Sequence, residues 1–169
     1  MLVFLILGLL GYMYISVYRT ESFDIREFDQ EHHTSFEDSG YFYSQQTTLV
    51  PPSYPMKVYV FHGAREGLGY SSIRVYNTRV SIDATDLPDA VLLEESEHTV
   101  LSLPVTILLY KESDSTKETY RPSFKVFFDR EGYFYVLWIN FNDIYTKDNA
   151  AIDDNDIAYI EKYLTDIFP

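Results

Sequence analysis

Residues 123–142 carry the clearest β pattern in the chain, an alternating stretch followed by a nearly continuous apolar one, and they predict two β-strands joined by a tight turn. The faces of the first strand carry alternate residues, with Phe124, Val126 and Phe128 on one and Lys125, Phe127 and Asp129 on the other. The apolar pattern stops around residues 129–132, where Gly132 can adopt the positive φ that a short hairpin loop requires. We therefore expect the two strands to pair antiparallel.

The second strand of this hairpin is apolar on both of its faces. Its alternating sets are Tyr133, Tyr135, Leu137, Ile139 and Phe141 on one face, and Phe134, Val136 and Trp138 on the other. One interpretation is a central strand covered by a second layer, such as a C-terminal helix. The other is that part of the aromatic face is a docking surface, because large exposed apolar patches mark interaction sites. Phe134 and Trp138 are the candidate contact residues in that case.

Other stretches predict further strands. Residues 56–61 alternate, and residues 73–82 continue the β pattern with a bulge or turn near Asn77. Residues 100–110 predict another strand, which Pro104 places at an edge or breaks in two. Residues 86–95 fit either a short helix capped by Asp86 or an acidic strand, and the sequence does not decide between them.

The C-terminal stretch predicts a helix that covers one face of the sheet. Asp153 or Asp154 is suited to the N-cap, and an apolar stripe follows at helical spacing: Ile157, Ile160, Leu164 and Ile167. The predicted fold class is therefore α+β, with an antiparallel sheet of about five or six strands and this helix packed on it. The globular domain is predicted to span residues 56–169.

The N-terminal segment predicts a membrane anchor. Residues 2–18 carry no charge and would extend about 25 Å as a helix, at roughly 1.5 Å per residue. A cleaved signal peptide is the alternative, but no basic stretch precedes the apolar run and no small-residue cleavage site follows it. We expect residues 1–18 to form a single-pass anchor or uncleaved signal-anchor. The larger domain would then lie outside the cytoplasm, in the periplasm if the source is bacterial.

An acidic segment, residues 19–55, separates the predicted anchor from the predicted domain. Its prolines near residues 51–55 disfavour both helix and strand pairing, which is typical of a stalk. Its aromatic residues are too numerous for a featureless linker, so part of it should pack on the domain or on a partner.

The composition narrows the classes of partner. The chain of 169 residues carries a net charge of −13, which argues against nucleic acid because phosphate binding needs a basic surface. A basic protein is the complementary partner, and plain solubility is the alternative explanation. The absence of cysteine excludes disulfides, thiolate metal sites and cysteine nucleophiles.

The acids gather in one part of the chain. Residues 80–110 contain six acids and neither Lys nor Arg: Asp83, Asp86, Asp89, Glu94, Glu95 and Glu97. They predict either a solvated face or a surface that binds a basic protein, with aromatic anchors inside an acidic rim. The glycine-rich residues 62–71 predict a β-turn or, alternatively, a binding loop that presents Arg65 and Tyr70.

Signatures of catalysis and of bound cofactors are missing from the sequence. The histidines lack the spacing of a metal site, and the acids at 148–156 lack the register of a calcium loop. No phosphate-cradling loop, nucleophile elbow or zinc-protease helix occurs. We therefore expect neither cofactor nor metal, and no enzymatic activity.

Three functional hypotheses remain. The first is a membrane-anchored extracytoplasmic protein-binding module without catalysis, such as an immunity-type inhibitor of a basic toxin. The second is an accessory subunit of a larger membrane complex, in which neighbouring subunits cover the aromatic surfaces. The third is an enzyme acting on envelope glycans through a carboxylate pair, which 26 acids neither single out nor exclude.

Overall fold

The computed structural model describes residues 18–21, 23–49, 56–65, 69–81, 90–112, 120–140 and 146–169. The predicted anchor lies outside these ranges except for Tyr18, which begins a strand. In the described ranges, no helix has the length and apolar character needed to cross a membrane.

One antiparallel sheet dominates the described part of the chain. Its eight strands are β1 (Tyr18–Glu21), β2 (Tyr41–Leu49), β3 (Met56–Arg65), β4 (Gly69–Tyr76), β5 (Ala90–Val100), β6 (Leu103–Glu112), β7 (Pro122–Arg130) and β8 (Tyr133–Asn140). The helices are α1 (Ile25–His32) and α2 (Asp154–Ile167). The predicted α+β class, with an antiparallel sheet and a C-terminal helix, is confirmed. Residues 56–140 supply six strands, and the segment predicted as a stalk adds β1 and β2.

The sheet consists of two four-stranded meanders joined side by side. The strand order is β1-β2-β3-β4-β8-β7-β6-β5, so β4 and β8 meet although 56 residues separate the end of one from the start of the other. Each neighbouring pair is antiparallel. β1 and β5 therefore form the two edges of the described sheet.

The hairpin predicted at residues 123–142 is confirmed. β7 and β8 pair from Ser123 opposite Asn140 to Arg130 opposite Tyr133. Its two loop residues, Glu131 and Gly132, have φ values of 53° and 81°, the positive angles that match the twist of paired strands. β8 lies between β7 and β4, which confirms the central-strand interpretation of its two apolar faces.

The first face of the sheet packs against the helices, and we call it the helical face. Ile73, Val126 and Leu137 belong to one buried cluster with residues of α2. The predicted stripe is observed, because Ile160, Leu164 and Ile167 are buried and Ile157 is partly buried in the same cluster. This is the second layer expected over the central strands.

The aromatic residues of the predicted stalk also pack on the helical face. The carboxylate of Asp29 accepts hydrogen bonds from the Thr34 hydroxyl (2.6 Å) and from the backbone N–H groups of Phe36 (2.9 Å) and Glu37 (3.0 Å). This turn after α1 brings the ring of Phe36 onto Phe61 of β3, with 4.0 Å between centroids. Residues 25–41 therefore contribute to the core, as expected from their aromatic content.

A second buried cluster lies on the opposite side of the sheet, which we call the second face. Its members are Leu108, Tyr110, Phe127, Phe134 and Val136, with Tyr76, Val80 and Ala90 packed against them. The described helices contribute no residue to this cluster. Just after β4, the guanidinium of Arg79 lies 5.7 Å from the centroid of the Phe134 ring. The chain leaving β4 thus covers one end of the second face.

The tight turn between β5 and β6 contains backbone strain that a substitution should relieve. Leu101 and Ser102 form its two-residue loop, with positive φ values of 50° and 64°. Asn and Gly adopt these angles more readily, and the Leu101 side chain is exposed. The double substitution Leu101→Asn and Ser102→Gly should therefore raise the free energy of unfolding by about 1–2 kcal/mol. Urea denaturation measures the change, and a destabilised variant would contradict this assignment of strain.

Because the His32 side chain is buried, we expect the protein to lose stability in mild acid. Its ring centroid lies 4.1 Å from that of Phe28 and 4.5 Å from that of Tyr133, and burial lowers its pKa despite the neighbouring Glu31 and Glu131. Below pH 6.5 the unfolded chain binds a proton at His32 more readily than the folded chain does, so the free energy of unfolding should fall.

The variant His32→Phe should weaken this pH dependence between pH 7 and pH 5, as measured by denaturation across a pH series. Some dependence should remain from His62, whose pKa is lowered by burial and by Arg74. An unchanged slope in the variant would show that His32 does not contribute.

Candidate functional site

A groove of about 730 Å³ lies on the second face at the end where β5 and β6 meet. Leu108, Phe127 and Phe134 form its apolar base, and each is buried, at most 8% exposed. Glu95 and Glu97 of β5 line it with exposed carboxylates. We call this feature the acidic groove.

The strand register explains why these residues meet. Glu95 pairs with Leu108, and Glu97 pairs with Thr106. Thr106 pairs with Phe127 of β7, and Phe127 pairs in turn with Val136 of β8. Residues directly opposite each other in an antiparallel pair point to the same face. The acids of the edge strand and the aromatic residues of the central hairpin therefore share one surface.

The charge of the groove is predominantly negative. Three carboxylates line it, those of Glu95, Glu97 and Asp129, against the single guanidinium of Arg79 among the described lining residues. Arg79 is already engaged, because its Nη1 lies 3.5 Å from Oδ2 of Asp129 while its guanidinium covers Phe134. Glu95 and Glu97, by contrast, are exposed to solvent. A cationic ligand is the natural complement of this surface.

Aromatic side chains continue from the groove along the second face, and most of them are buried. Phe134 stacks with Phe127 at a centroid distance of 6.4 Å, and Trp138 stacks with Tyr110 at 5.8 Å. The Nζ of Lys125 lies 5.4 Å from the Trp138 ring. The second face thus contains one cation–aromatic contact of its own next to the acids.

The structure brings some of the predicted contact residues together and separates others. Glu95, Glu97 and Phe134 line one groove, and Trp138 lies on the same face. Glu94 instead points to the helical face, where its carboxylate accepts a hydrogen bond from the backbone N–H of Ile152. Asp83, Asp86 and Asp89 lie outside the described residues. The residues at 90–95, left open between helix and strand, form the start of β5.

The glycine-rich segment lies apart from the groove. Tyr70 pairs with Asn140, at the end of the second face opposite Phe134, and its hydroxyl lies 2.6 Å from Nδ1 of His62. Arg65 ends β3, and its side chain is outside the described residues. A Cβ added at Gly63 would lie 3.1 Å from the Tyr41 ring, so this glycine permits close packing.

Sequence reasoning missed several residues of the groove. Phe127 shares a face with Phe134 in the predicted hairpin, so the alternation of β7 and β8 contained that signal. Leu108, Thr106 and Arg79 carried no such signal, because their placement depends on which strands pair and where the chain crosses after β4.

A second group of charged residues clamps the start of α2. Nζ of Lys147 donates hydrogen bonds to Oδ2 of Asp153 (2.7 Å) and to Oδ2 of Asp156 (2.5 Å), and the Lys147 and Asp156 side chains are almost fully buried. Burial lowers the pKa of Lys147, but these hydrogen bonds outweigh it and the net pKa is raised. Asp153, one of the two predicted candidates, is the N-cap and forms a capping box with Asp156.

Tyr120 belongs to the same buried group. It pairs with Lys147 through two backbone hydrogen bonds, and its hydroxyl donates to the carbonyl oxygen of Asn149 (2.7 Å). Burial, reinforced by the charge of Asp156, raises the pKa of Tyr120 to about 12. These groups bond to one another, so we assign this cluster to the stability of the fold.

Comparison with known proteins gave no match. No protein-family model, no curated protein and no solved structure matches this chain. In the described residues, no group of three or more His, Asp or Glu side chains is arranged to hold a metal ion.

Proposed function

We propose that this chain is a non-catalytic binding protein whose acidic groove takes a basic segment of a partner protein. The observation that carries the proposal is the pair of exposed acids, Glu95 and Glu97, at the side of a groove whose base is apolar. Complementary charge at an interface orients the partner and raises the rate of association. The net charge of −13 extends the same preference over long range.

The sequence supports a more specific proposal, a membrane-anchored inhibitor that lies outside the cytoplasm. Residues 2–18 would anchor the chain in a membrane with the folded part outside the cytoplasm, and an immunity-type inhibitor of a basic toxin is one protein of this kind. The acidic groove would bind a cationic segment of the toxin and thereby block the toxin's action. The sequence features that support this form are the uncharged N-terminal segment and the acidic composition.

A titration of the full-length protein tests the proposal. The probe is a short peptide in which Lys and Val alternate, and the control replaces every Lys by Glu. Calorimetry should detect binding of the Lys peptide alone, and moderate salt should weaken it because exposed charges are screened. Equal binding of both peptides, or of neither, would overturn the proposal.

A second candidate is an accessory subunit of a larger complex. The observation that favours it is the exposure of Val91 (45%) and Leu92 (38%) near the start of the edge strand β5. A partner subunit packed there would cover apolar surface, and its binding would resist salt. Sedimentation at increasing protein concentration distinguishes this candidate from the binding protein proposed above. An accessory subunit without its partner subunit should self-associate through the exposed apolar surface.

A further inference from the structure

In the described part of the chain, no strand pairs with the outer edge of β5, which lies beside the acidic groove. β5 is the last strand of the described sheet, with β6 as its one neighbouring strand there. Edge strands present rows of N–H and C=O groups that pair readily with another chain.

The hairpin geometry identifies the outward-facing backbone groups. β5 and β6 are joined by a two-residue loop, so Val100 and Leu103 form the first hydrogen-bonded pair next to it. Bonded and non-bonded pairs then alternate along the ladder, so Thr99, Glu97 and Glu95 fall in non-bonded pairs with β6. Pro104, which has no N–H, lies opposite Thr99, where no hydrogen bond to β5 is needed. The backbone groups of Thr99, Glu97 and Glu95 consequently point to the open edge.

The same three residues line the acidic groove with their side chains. An antiparallel strand added at this edge would place its hydrogen-bonded residues directly opposite them. Directly opposite residues share a face, so the side chains of those residues would lie beside Glu95 and Glu97 above the groove. Basic side chains at these alternate positions would meet the carboxylates.

We propose that the partner's basic segment binds as an extended strand added antiparallel to the edge of β5, with alternate Lys or Arg side chains over the acidic groove. This inference rests on the proposed function and specifies how the segment binds. A second copy of this chain is a poor occupant, because pairing two β5 strands would bring Glu95 and Glu97 of both copies together. Strand addition supplies affinity through the main chain, and the alternate side chains supply specificity.

Two backbone-methylated forms of the alternating Lys-Val peptide test the binding mode. One carries N-methyl groups on every Lys amide, and the other on every Val amide. Since the Lys residues should be the ones bonded to β5, methylating their amides should lower the affinity about tenfold or more. Methylating the Val amides should leave the affinity close to that of the unmodified peptide, because those amides face away.

Amide hydrogen exchange in the full-length protein gives a second readout. The amides of Glu95, Glu97 and Thr99 should exchange quickly without peptide and about tenfold more slowly at saturation, because the added strand protects them. The amides of Ser96 and His98, already bonded to β6 in this register, should be slow throughout.

The outcomes separate the two proposals. If the unmodified and both methylated peptides bind equally and no amide of β5 gains protection, strand addition is wrong while groove binding stands. If methylation of the Val amides is the damaging change, antiparallel pairing in this register is wrong. If the unmodified Lys peptide binds no better than its Glu counterpart, the proposed function itself fails.

Discussion

The substitution Lys147→Met should lower the free energy of unfolding by about 3–5 kcal/mol, because it leaves a buried carboxylate without its cationic partner. Asp156 is fully buried, and Nζ of Lys147 donates to it at 2.5 Å. Removing the ammonium group keeps the cost of burying Asp156 and loses the compensating interaction. Urea denaturation at pH 7, followed by the fluorescence of the single tryptophan, Trp138, measures the loss.

An exposed ion pair elsewhere in the chain provides the matched control. Nε of Arg26 lies 2.7 Å from Oε2 of Glu37, but 70% of the Arg26 side chain is exposed. Arg26→Met should therefore cost at most about 1 kcal/mol, since water screens the pair. If the two variants lose similar amounts of stability, burial is not what makes the Lys147 cluster important.

Reversing the two groove acids, Glu95→Lys together with Glu97→Lys, should reduce binding of the alternating Lys-Val peptide by about tenfold to a hundredfold. Each substitution replaces an attraction for a cationic side chain with a repulsion. Both side chains are exposed, so the thermal stability of the protein should change little. Calorimetric titration of the double variant gives the affinity, and a melting curve confirms that it folds.

The matched control for this variant reverses two acids on the helical side, Asp38→Lys and Glu161→Lys. Both are exposed, and the change in net charge is identical. The control should keep most of the affinity, with a modest loss from the reduced overall charge. Equal losses in the two double variants would mean that net charge, rather than the groove, attracts the peptide.

The elements with local signals were predictable from the sequence. The β7–β8 hairpin consists of two apolar stretches interrupted by polar residues and a glycine at the turn, and α2 carries a cap and a regular apolar stripe, so both follow from short-range pattern. β2 shows no such pattern, because its polar run after Tyr43 resembles a linker although it pairs fully with β3. Long-range pairing, which a local pattern does not encode, gives this strand its place in the sheet.

The candidate site was predictable in its chemistry and only partly in its geometry. The acidic run of residues 83–97 and the aromatic hairpin both appear in the sequence, but their meeting depends on β5 pairing with β6 and β6 with β7. An irregularity in β5 between Leu92 and Glu94 then sets which acids face the groove. This is why Glu94 lies on the helical face while Glu95 and Glu97 line the groove.

The burial of Lys147 could not be predicted from the sequence either. In the sequence it stands in a polar, acidic stretch that is typical of a solvated turn. Its contact with Tyr120, 27 positions away, and with the first turn of α2 encloses the side chain. Only the tertiary structure distinguishes this lysine from an exposed one.

Site-directed cross-linking tests directly whether a basic segment binds at the acidic groove. The chain has no cysteine, so Thr99→Cys introduces a single thiol at the groove and Glu161→Cys introduces one on α2. Each variant is exposed to the alternating Lys-Val peptide carrying a terminal bromoacetyl group, and rates are normalised to those with bromoacetamide. We predict that Thr99→Cys reacts much faster than Glu161→Cys and that excess unlabelled peptide suppresses the difference. Equal normalised rates for the two variants, unaffected by the competing peptide, would contradict binding at the acidic groove.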